Sequence, residues 1–140
     1  MSQWQLYFHI VWATKHRQPL LTLELEQAVF RCALTVAAEL GCEVVGLNGM
    51  PDHVHLLIRS GPQFNLSRLL KQIKGNTSAL ANDMNQHAAS FRWQEGYYAI
   101  TVTPSHVPKV QAYIKHQKEH HRAGTTYPNW EETGEAETDS

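Results

Sequence analysis

Residues 43–59, EVVGLNGMPDHVHLLIR, decide the fold. A short apolar run over residues 43–47 meets the turn formers Asn48-Gly49-Met50-Pro51-Asp52, and a second run over residues 53–59 follows, the pattern of two strands folded into a hairpin. On its N-terminal side the sequence predicts a helix: Thr22 is the N-cap, Glu24 and Glu26 favour its positive end, and Gly41 terminates it. Between those signals Leu25, Val29, Cys32, Val36 and Leu40 recur at helical spacing. Before that helix, residues 5–13 (QLYFHIVWA) are aromatic and β-branched and read as a first strand. Beyond the hairpin, Asn65 caps a second helix with a stripe of Leu66, Leu69, Leu70, Ile73, Thr77, Leu80 and Met84. Residues 97–103 read as a fourth strand broken by Pro104, and Pro108 opens a final helix running to about His121.

The order is β-α-β-β-α-β with an added C-terminal helix, an α+β, ferredoxin-like (RRM-like) antiparallel sheet in which the first and third strands lie side by side at the centre. Alternation along a strand then puts Leu6, Phe8 and Ile10 with Val54, Leu56 and Ile58 under the two helices. Tyr7, His9, His53 and His55 are expected on the opposite, uncovered face.

Composition narrows the class. The 140 residues suit one domain, and no run approaches the roughly 18 apolar residues of a membrane span. The N-terminus lacks a charged stretch leading into an apolar block, so no secretory signal is read there. Cys32 and Cys42 form neither a C-x-x-C pair nor a disulfide framework, which points to free thiols in a reducing cytoplasm. Residues 129–140 hold five acids and no Lys or Arg, leaving residues 1–128 with 12 basic and 8 acidic side chains, a net of +4. Such a body suits a polyanionic partner without establishing one. The acidic stretch 124–140 is expected to be a poorly ordered tail.

Two constellations carry chemistry. His53 and His55 stand two apart on a strand and share a face, so both imidazoles can reach one divalent ion while Val54 anchors the strand from the other side. Alone, H-x-H is a weak signal, and two surface histidines are its commoner source. Tyr113 and Gln117 stand at i and i+4 of the last helix, at the edge of its Val107, Val110 and Ile114 stripe. Basic residues gather in two places: Lys15, His16 and Arg17 in a loop, and Arg68, Lys71 and Lys74 with Ser78 along the second helix, where Gly75 leaves room for a phosphate. Either basic group is also an ordinary solvated surface. Phe91, Trp93 and Tyr97 are candidates for stacking on bases, with core packing the simpler account of each.

Taken in order, YFHIVWATKHRQPLL, MPDHVHLLI, LLKQIKG, FRWQEGYYAITVTPS and VQAYIKHQKEHHR resemble the single-tyrosine HUH transposases of bacterial insertion sequences (IS200-like), including the REP-associated tyrosine transposases. The resemblance implies one domain over residues 1–123 that cuts and rejoins single-stranded DNA beside hairpins through a 5′-phosphotyrosine link. By position it makes Tyr113 the nucleophile and His53, His55 and Gln117 the ligands of Mg²⁺ or Mn²⁺. Lys15, Arg17, Arg68, Lys71, Lys74 and Ser78 become candidate DNA contacts, and Asp52 and His9 candidate supports of the ligands. It further implies a homodimer, no membrane, and a place in the prokaryotic cytoplasm at the nucleoid. Imidazole is the stronger ligand for transition metals, which keeps His116, His120 and His121 as rivals to Gln117; a carboxamide suits Mg²⁺ or Mn²⁺.

Other classes compete. A non-enzymatic RRM-like nucleic-acid-binding domain has the same element order, but its third strand should carry stacking aromatics, and HVHLLIR has none. A replication-initiator or relaxase-type nickase shares the chemistry but is generally larger. A domesticated REP-associated hairpin nickase is the remaining alternative, separable from an active transposase only by the genomic flanks.

Overall fold

The computed structural model describes residues 3–84 and 90–134. Four strands, β1 (Leu6–Ala13), β2 (Glu43–Met50), β3 (His53–Ser60) and β4 (Tyr98–Val102), form one antiparallel sheet in the order β2-β3-β1-β4. This is the expected ferredoxin-like arrangement, with the first and third strands central. The hairpin turns at Pro51-Asp52, tighter than the five-residue turn the sequence suggests, because β2 stays paired as far as Met50 opposite His53.

Helix α1 (Leu23–Glu39) starts where Thr22 Oγ1 accepts the Leu25 N–H at 3.2 Å, and α2 (Leu66–Met84) where Asn65 Oδ1 accepts the Arg68 N–H at 3.0 Å. Both pack on one face of the sheet. Ile10, Trp12, Val54, Leu56 and Ile58 from the strands meet Val29, Ala33, Leu69, Leu70 and Ile73 from the helices, each fully or almost fully buried. Burial of each large aliphatic chain in such a core contributes about 1.5–3 kcal/mol. Of the stripe expected on α2, Leu69, Leu70, Ile73 and Thr77 are buried, whereas Leu66, Leu80 and Met84 are only partly covered.

The other face is not open as expected. Val107, Val110 and Ile114 of α3 (Val107–Lys115) pack on Leu57 and Val102 to form a second small core. Two amide side chains dock that helix on β2. Gln111 Nε2 donates to Val45 O at 2.8 Å, at the point where the register slips between Val44 and Gly46. Asn48 Nδ2 donates to Ile114 O at 3.0 Å and Lys115 O at 3.1 Å.

Those two bonds satisfy carbonyls that a continuing helix would use, and the single final helix expected from sequence divides at His116 into α3 and α4 (Gln117–Ala123). Lys118 then ties α4 down, with Nζ donating to Glu26 Oε1 at 2.9 Å, Asn48 Oδ1 at 2.9 Å and Gly49 O at 3.1 Å. Gly124 closes α4 in the left-handed conformation at φ 70°. Residues 125–134, read above as part of a loose tail, instead turn back over α3 and the sheet, with a 3-10 turn at Pro128–Trp130. The last six residues of that tail, 135–140, lie outside the described residues.

Candidate active site

The second face of the sheet gathers the histidines. Register pairs Val11 with His55 and Ala13 with His53, so both imidazoles rise from β3 toward α3 and α4, with His9 beside them on β1. All three are buried: His9 is 1% exposed, and His53 and His55 are 0%. Surface histidines are thereby excluded.

Each histidine of the pair is held through Nδ1. His53 Nδ1 lies 2.7 Å from Asp52 Oδ1, and Asp52 Oδ2 in turn accepts from Arg17 Nε at 3.2 Å. His55 Nδ1 lies 2.9 Å from His9 Nε2. Asp52 and His9 thus touch the two ligand candidates through Nδ1, leaving both Nε2 atoms directed into the site. Burial, and then the neighbouring His55, push His9 down to about 3, so it stays neutral near pH 7. Burial likewise lowers His55. For His53 burial pulls the same way, but the carboxylates of Asp52 and Glu131 outweigh it and raise the group. Carboxylates that favour a proton on His53 also favour a cation beside it.

Tyr113 and Gln117 enter from α3 and α4. Tyr113 is 3% exposed, and its ring packs against both His120, at 4.7 Å, and Tyr127, at 5.0 Å. Its hydroxyl donates to Glu131 Oε2 and accepts the Tyr127 N–H at 3.1 Å. Gln117 Nε2 donates to the same Glu131 oxygen at 3.0 Å. Burial first, and then the Glu131 carboxylate, raise the Tyr113 phenol above its usual value, so it is held as the neutral phenol.

Glu131 is the residue that sequence reasoning missed, counted there as one of five tail acids. Its Oε1 lies 3.3 Å from His55 Nε2 and 3.0 Å from His121 Nε2. It also lies 3.0 Å from His53 Nε2, but off the line a hydrogen bond requires. Burial works against the ionised carboxylate, yet the imidazoles of His53 and His55 and the Tyr113 hydroxyl hold it well below the usual range. The one sequence signal for it is the YPNW run immediately before it, an aromatic, turn-forming stretch out of place in a solvated tail.

The donor set fits a divalent cation. His53, His55 and Glu131 offer ligand atoms within 4.8 Å of one another. Two more atoms argue the same way: His53 Nε2 and Gln117 Oε1 are fully buried and have no hydrogen-bond partner among the described residues. An imidazole nitrogen and an amide oxygen left unsatisfied on the same site are what a bound cation would use. Of the rival histidines only His121 reaches the site; His120 stacks on Tyr113, and His116 pairs with Glu119 at 3.2 Å in solvent.

The basic residues divide. Arg17 stands at the site's edge on Asp52, at the end of a loop in which His16 and Arg17 both take left-handed backbone, φ 56° and 53°. Such conformations cost about 1–2 kcal/mol per residue and are held by the surrounding contacts. Thr14 Oγ1 supplies one of these, donating to Gln18 O at 2.6 Å. Lys15 adjoins this loop, half-buried. Arg68, Lys71, Lys74 and Ser78 sit on α2, across the sheet from Tyr113. Lys74 is committed internally, donating to Gln94 O at 2.8 Å and to Gly96 O. A Cβ at Gly75 would meet nothing within 4 Å. Phe91 is a core residue at 2% exposure, with Trp93 packed edge-on at 4.7 Å and donating Nε1 to Thr77 Oγ1. Tyr97 lines the same core.

Among the described residues no helix is long and apolar enough to cross a membrane. Comparison with known proteins points in one direction. The ISDra2 transposase TnpA of Deinococcus radiodurans is 29% identical over 119 residues, covering 81% of this chain and 85% of that protein. The transposase for insertion sequence element IS200 of Salmonella typhimurium is 28% identical over 128 residues, covering 88% and 84%. A crystal structure of a provisionally assigned transposase from D. radiodurans superposes with a TM-score of 0.65 at 29% identity, covering 83% of this chain and 93% of that one. A REP-associated tyrosine transposase bound to a REP hairpin shares the fold, with a TM-score of 0.64 at 16% identity over 90% of this chain and 76% of that one. The model of the IS200-like transposase family matches residues 2–117, and the chain belongs to that family.

Proposed function

We propose that this transposase cleaves and rejoins single-stranded DNA at hairpin-flanked ends, with Tyr113 as the nucleophile and His53, His55 and Gln117 holding Mg²⁺ or Mn²⁺. The observation that carries the reading is convergence within one chain: the Tyr113 hydroxyl, the Gln117 amide and the Nε2 faces of His53 and His55 all surround a single carboxylate. A divalent cation bound there supplies charge to polarise the scissile phosphate and to neutralise the oxygens as displacement proceeds.

The chain's own residues do the rest. Asp52 and His9 fix the two imidazoles so that Nε2 faces the site. His120 and Tyr127 pack against the Tyr113 ring, and the Glu131 carboxylate and the Tyr127 N–H hold its hydroxyl in the site. Oη forms a bond to phosphorus, the bond from phosphorus to the 3′-oxygen breaks, and the phenol proton ends on the released 3′-hydroxyl. The 5′-phosphotyrosine ester that results has nearly the energy of the bond broken. Another strand's 3′-hydroxyl therefore reverses the step and joins DNA without ATP. Arg17, which touches Asp52 at the site, is the stronger candidate for contact with the cleaved strand, and Lys15 adjoins it in the same loop. Arg68 and Lys71 are exposed on the other layer, with Ser78 partly covered beside them, and are candidates for more distant phosphates.

A passive RRM-like binding domain fits less well, because the sheet face such a domain offers to bases is covered here by α3, α4 and residues 125–134. The resemblance implies a homodimer, for which sedimentation is the direct measurement. The function is tested with labelled single-stranded hairpin DNA from both flanks of the gene, incubated with Mg²⁺ or Mn²⁺ and run on denaturing gels. A covalent adduct that vanishes in EDTA and in Tyr113→Phe is the expected result. Hairpin binding with no adduct would remove the enzymatic reading, and an adduct surviving Tyr113→Phe would remove this tyrosine.

A further inference from the structure

We propose that Glu131 is a fourth protein ligand of the cation site, so that a divalent cation fastens the C-terminal segment to the histidines of β3. The inference rests on the reading of His53, His55 and Gln117 as ligands and extends it to a residue beyond the stretch matched by the family, which ends at residue 117.

Spacing is the first argument. Donors bound at about 2.1 Å on adjacent corners of an octahedron lie about 3.0 Å apart. Glu131 Oε1 stands 3.0 Å from His53 Nε2 and 3.3 Å from His55 Nε2, the separations of neighbouring corners. The second argument is the pair of orphaned atoms. His53 Nε2 and Gln117 Oε1 are buried without a hydrogen-bond partner among the described residues, although the Glu131 carboxylate stands 3.0 Å from the first. A carboxylate offers neither a ligand to a nitrogen lone pair nor a donor to an amide oxygen, whereas a cation accepts electron density from both kinds of atom. Charge is the third. Two neutral imidazoles and an amide leave a dication uncompensated in a buried site, and the Glu131 carboxylate removes half of that charge. Two imidazoles with a carboxylate are also a recognised donor set for divalent metals with open positions.

The segment is built around this carboxylate. Tyr127 stacks on Tyr113 at 5.0 Å and Trp130 meets the same ring edge-on at 5.0 Å. Glu131 follows directly, with Thr133 Oγ1 accepting from Arg17 at 3.4 Å. Tyr127 itself remains 43% exposed, so aromatic burial holds the segment only in part. Cation binding and closure of residues 125–133 therefore reinforce each other.

The test uses the full chain without DNA: Mn²⁺ titration by calorimetry on the wild type, Glu131→Gln and His53→Ala, and hydrogen exchange of peptides spanning residues 125–134 with and without Mn²⁺. The proposal expects Glu131→Gln to weaken Mn²⁺ binding by at least tenfold, and Mn²⁺ to slow exchange in this segment at least tenfold in the wild type but not in the variant. Binding to Glu131→Gln as tight as to the wild type, with His53→Ala still unable to bind, would overturn the proposal and leave the ligand reading of His53, His55 and Gln117 standing. Failure of the wild type to bind Mn²⁺, or unimpaired binding by His53→Ala, would remove both. The exchange measurement on the wild type decides the matter even if Glu131→Gln folds poorly: protection unchanged by bound Mn²⁺ overturns the proposal.

Discussion

Replacing His9 with phenylalanine separates the orientation of a ligand from its identity. To offer its Nε2 lone pair to a cation, His55 must carry its proton on Nδ1, and that buried N–H needs an acceptor. His9 Nε2 is that acceptor, 2.9 Å away, and a group pushed down to about 3 by burial keeps its lone pair throughout the physiological range. In His9→Phe two tautomers of His55 compete. The one that binds metal leaves a buried Nδ1–H unpaired, at a cost of about 1–3 kcal/mol. The other moves the proton to Nε2, where Glu131 Oε1 accepts it from 3.3 Å away, and no lone pair remains for a cation. Because the free site can adopt the second tautomer and the loaded site cannot, the penalty appears as a loss of affinity between about fivefold and about 150-fold. Phenylalanine keeps the ring's edge-on contact with Trp130, at 6.1 Å between centroids, so packing changes little. Mn²⁺ calorimetry at pH 7.5 measures the affinity, and nitrogen-detected NMR of the imidazoles reads the His55 tautomer directly. His9→Gln supplies an amide oxygen in place of the imidazole nitrogen and is expected to recover most of the loss. Affinity of His9→Phe within twofold of the wild type, with His55 still protonated on Nδ1, would refute the reasoning.

Four further outcomes are expected. Asp52→Asn takes the charge from the carboxylate 2.7 Å from His53 Nδ1 and should weaken Mn²⁺ binding about tenfold or more, measured by the same calorimetry. Lys118→Met leaves the buried Glu26 carboxylate without its partner at 2.9 Å; because Lys118 is 39% exposed, the cost is discounted to about 1–2 kcal/mol, a fall of several degrees in Tm by calorimetric melting. Gly49→Ala would set a Cβ 2.5 Å from the His53 carbonyl oxygen, a backbone collision expected to cost about 1–3 kcal/mol in denaturant titration and to disturb metal binding with it. For His9 the acid dependence has a definite sign. The group binds a proton at its usual value of 6.5 when unfolded but only near 3 when folded, so its contribution is complete above 6.5 and is lost as pH falls toward 3. By pH 5 about 2 kcal/mol should be gone, and denaturant melts of His9→Phe should lack that part of the slope.

The parts of this molecule that could be read in sequence are those whose causes are local. Alternation along residues 5–13 and 53–59, the caps at Thr22 and Asn65 and the glycine after the first helix act within a few residues, and the sheet order and both helices follow the reading closely. What meets a given face is a long-range matter. The sequence leaves the histidine face open because nothing in HVHLLIR announces that Gln111 and Asn48 dock a helix over it through bonds spanning 66 residues. Lys74 shows the same limit from the other side: helical spacing places it on a basic face, and only the folded chain shows its ammonium spent on the carbonyls of Gln94 and Gly96.

The division of the last helix was equally hidden, since His116 is neither proline nor glycine and the break is made by Asn48 of β2 capturing the carbonyls of Ile114 and Lys115. Tyr113 and Gln117 converge all the same. At His116 the backbone, φ −100° and ψ 25°, departs from a helix at a single residue, too little to turn Gln117 away from Glu131 Oε2. Glu131 lies outside the reach of any local rule, 76 residues from His55 and in a stretch whose charge suggests a solvated tail. Its one trace is Tyr127 and Trp130, two large aromatic rings that a solvated segment has no use for. An aromatic turn inside an acidic tail is therefore a reason to ask which buried group the next carboxylate can reach.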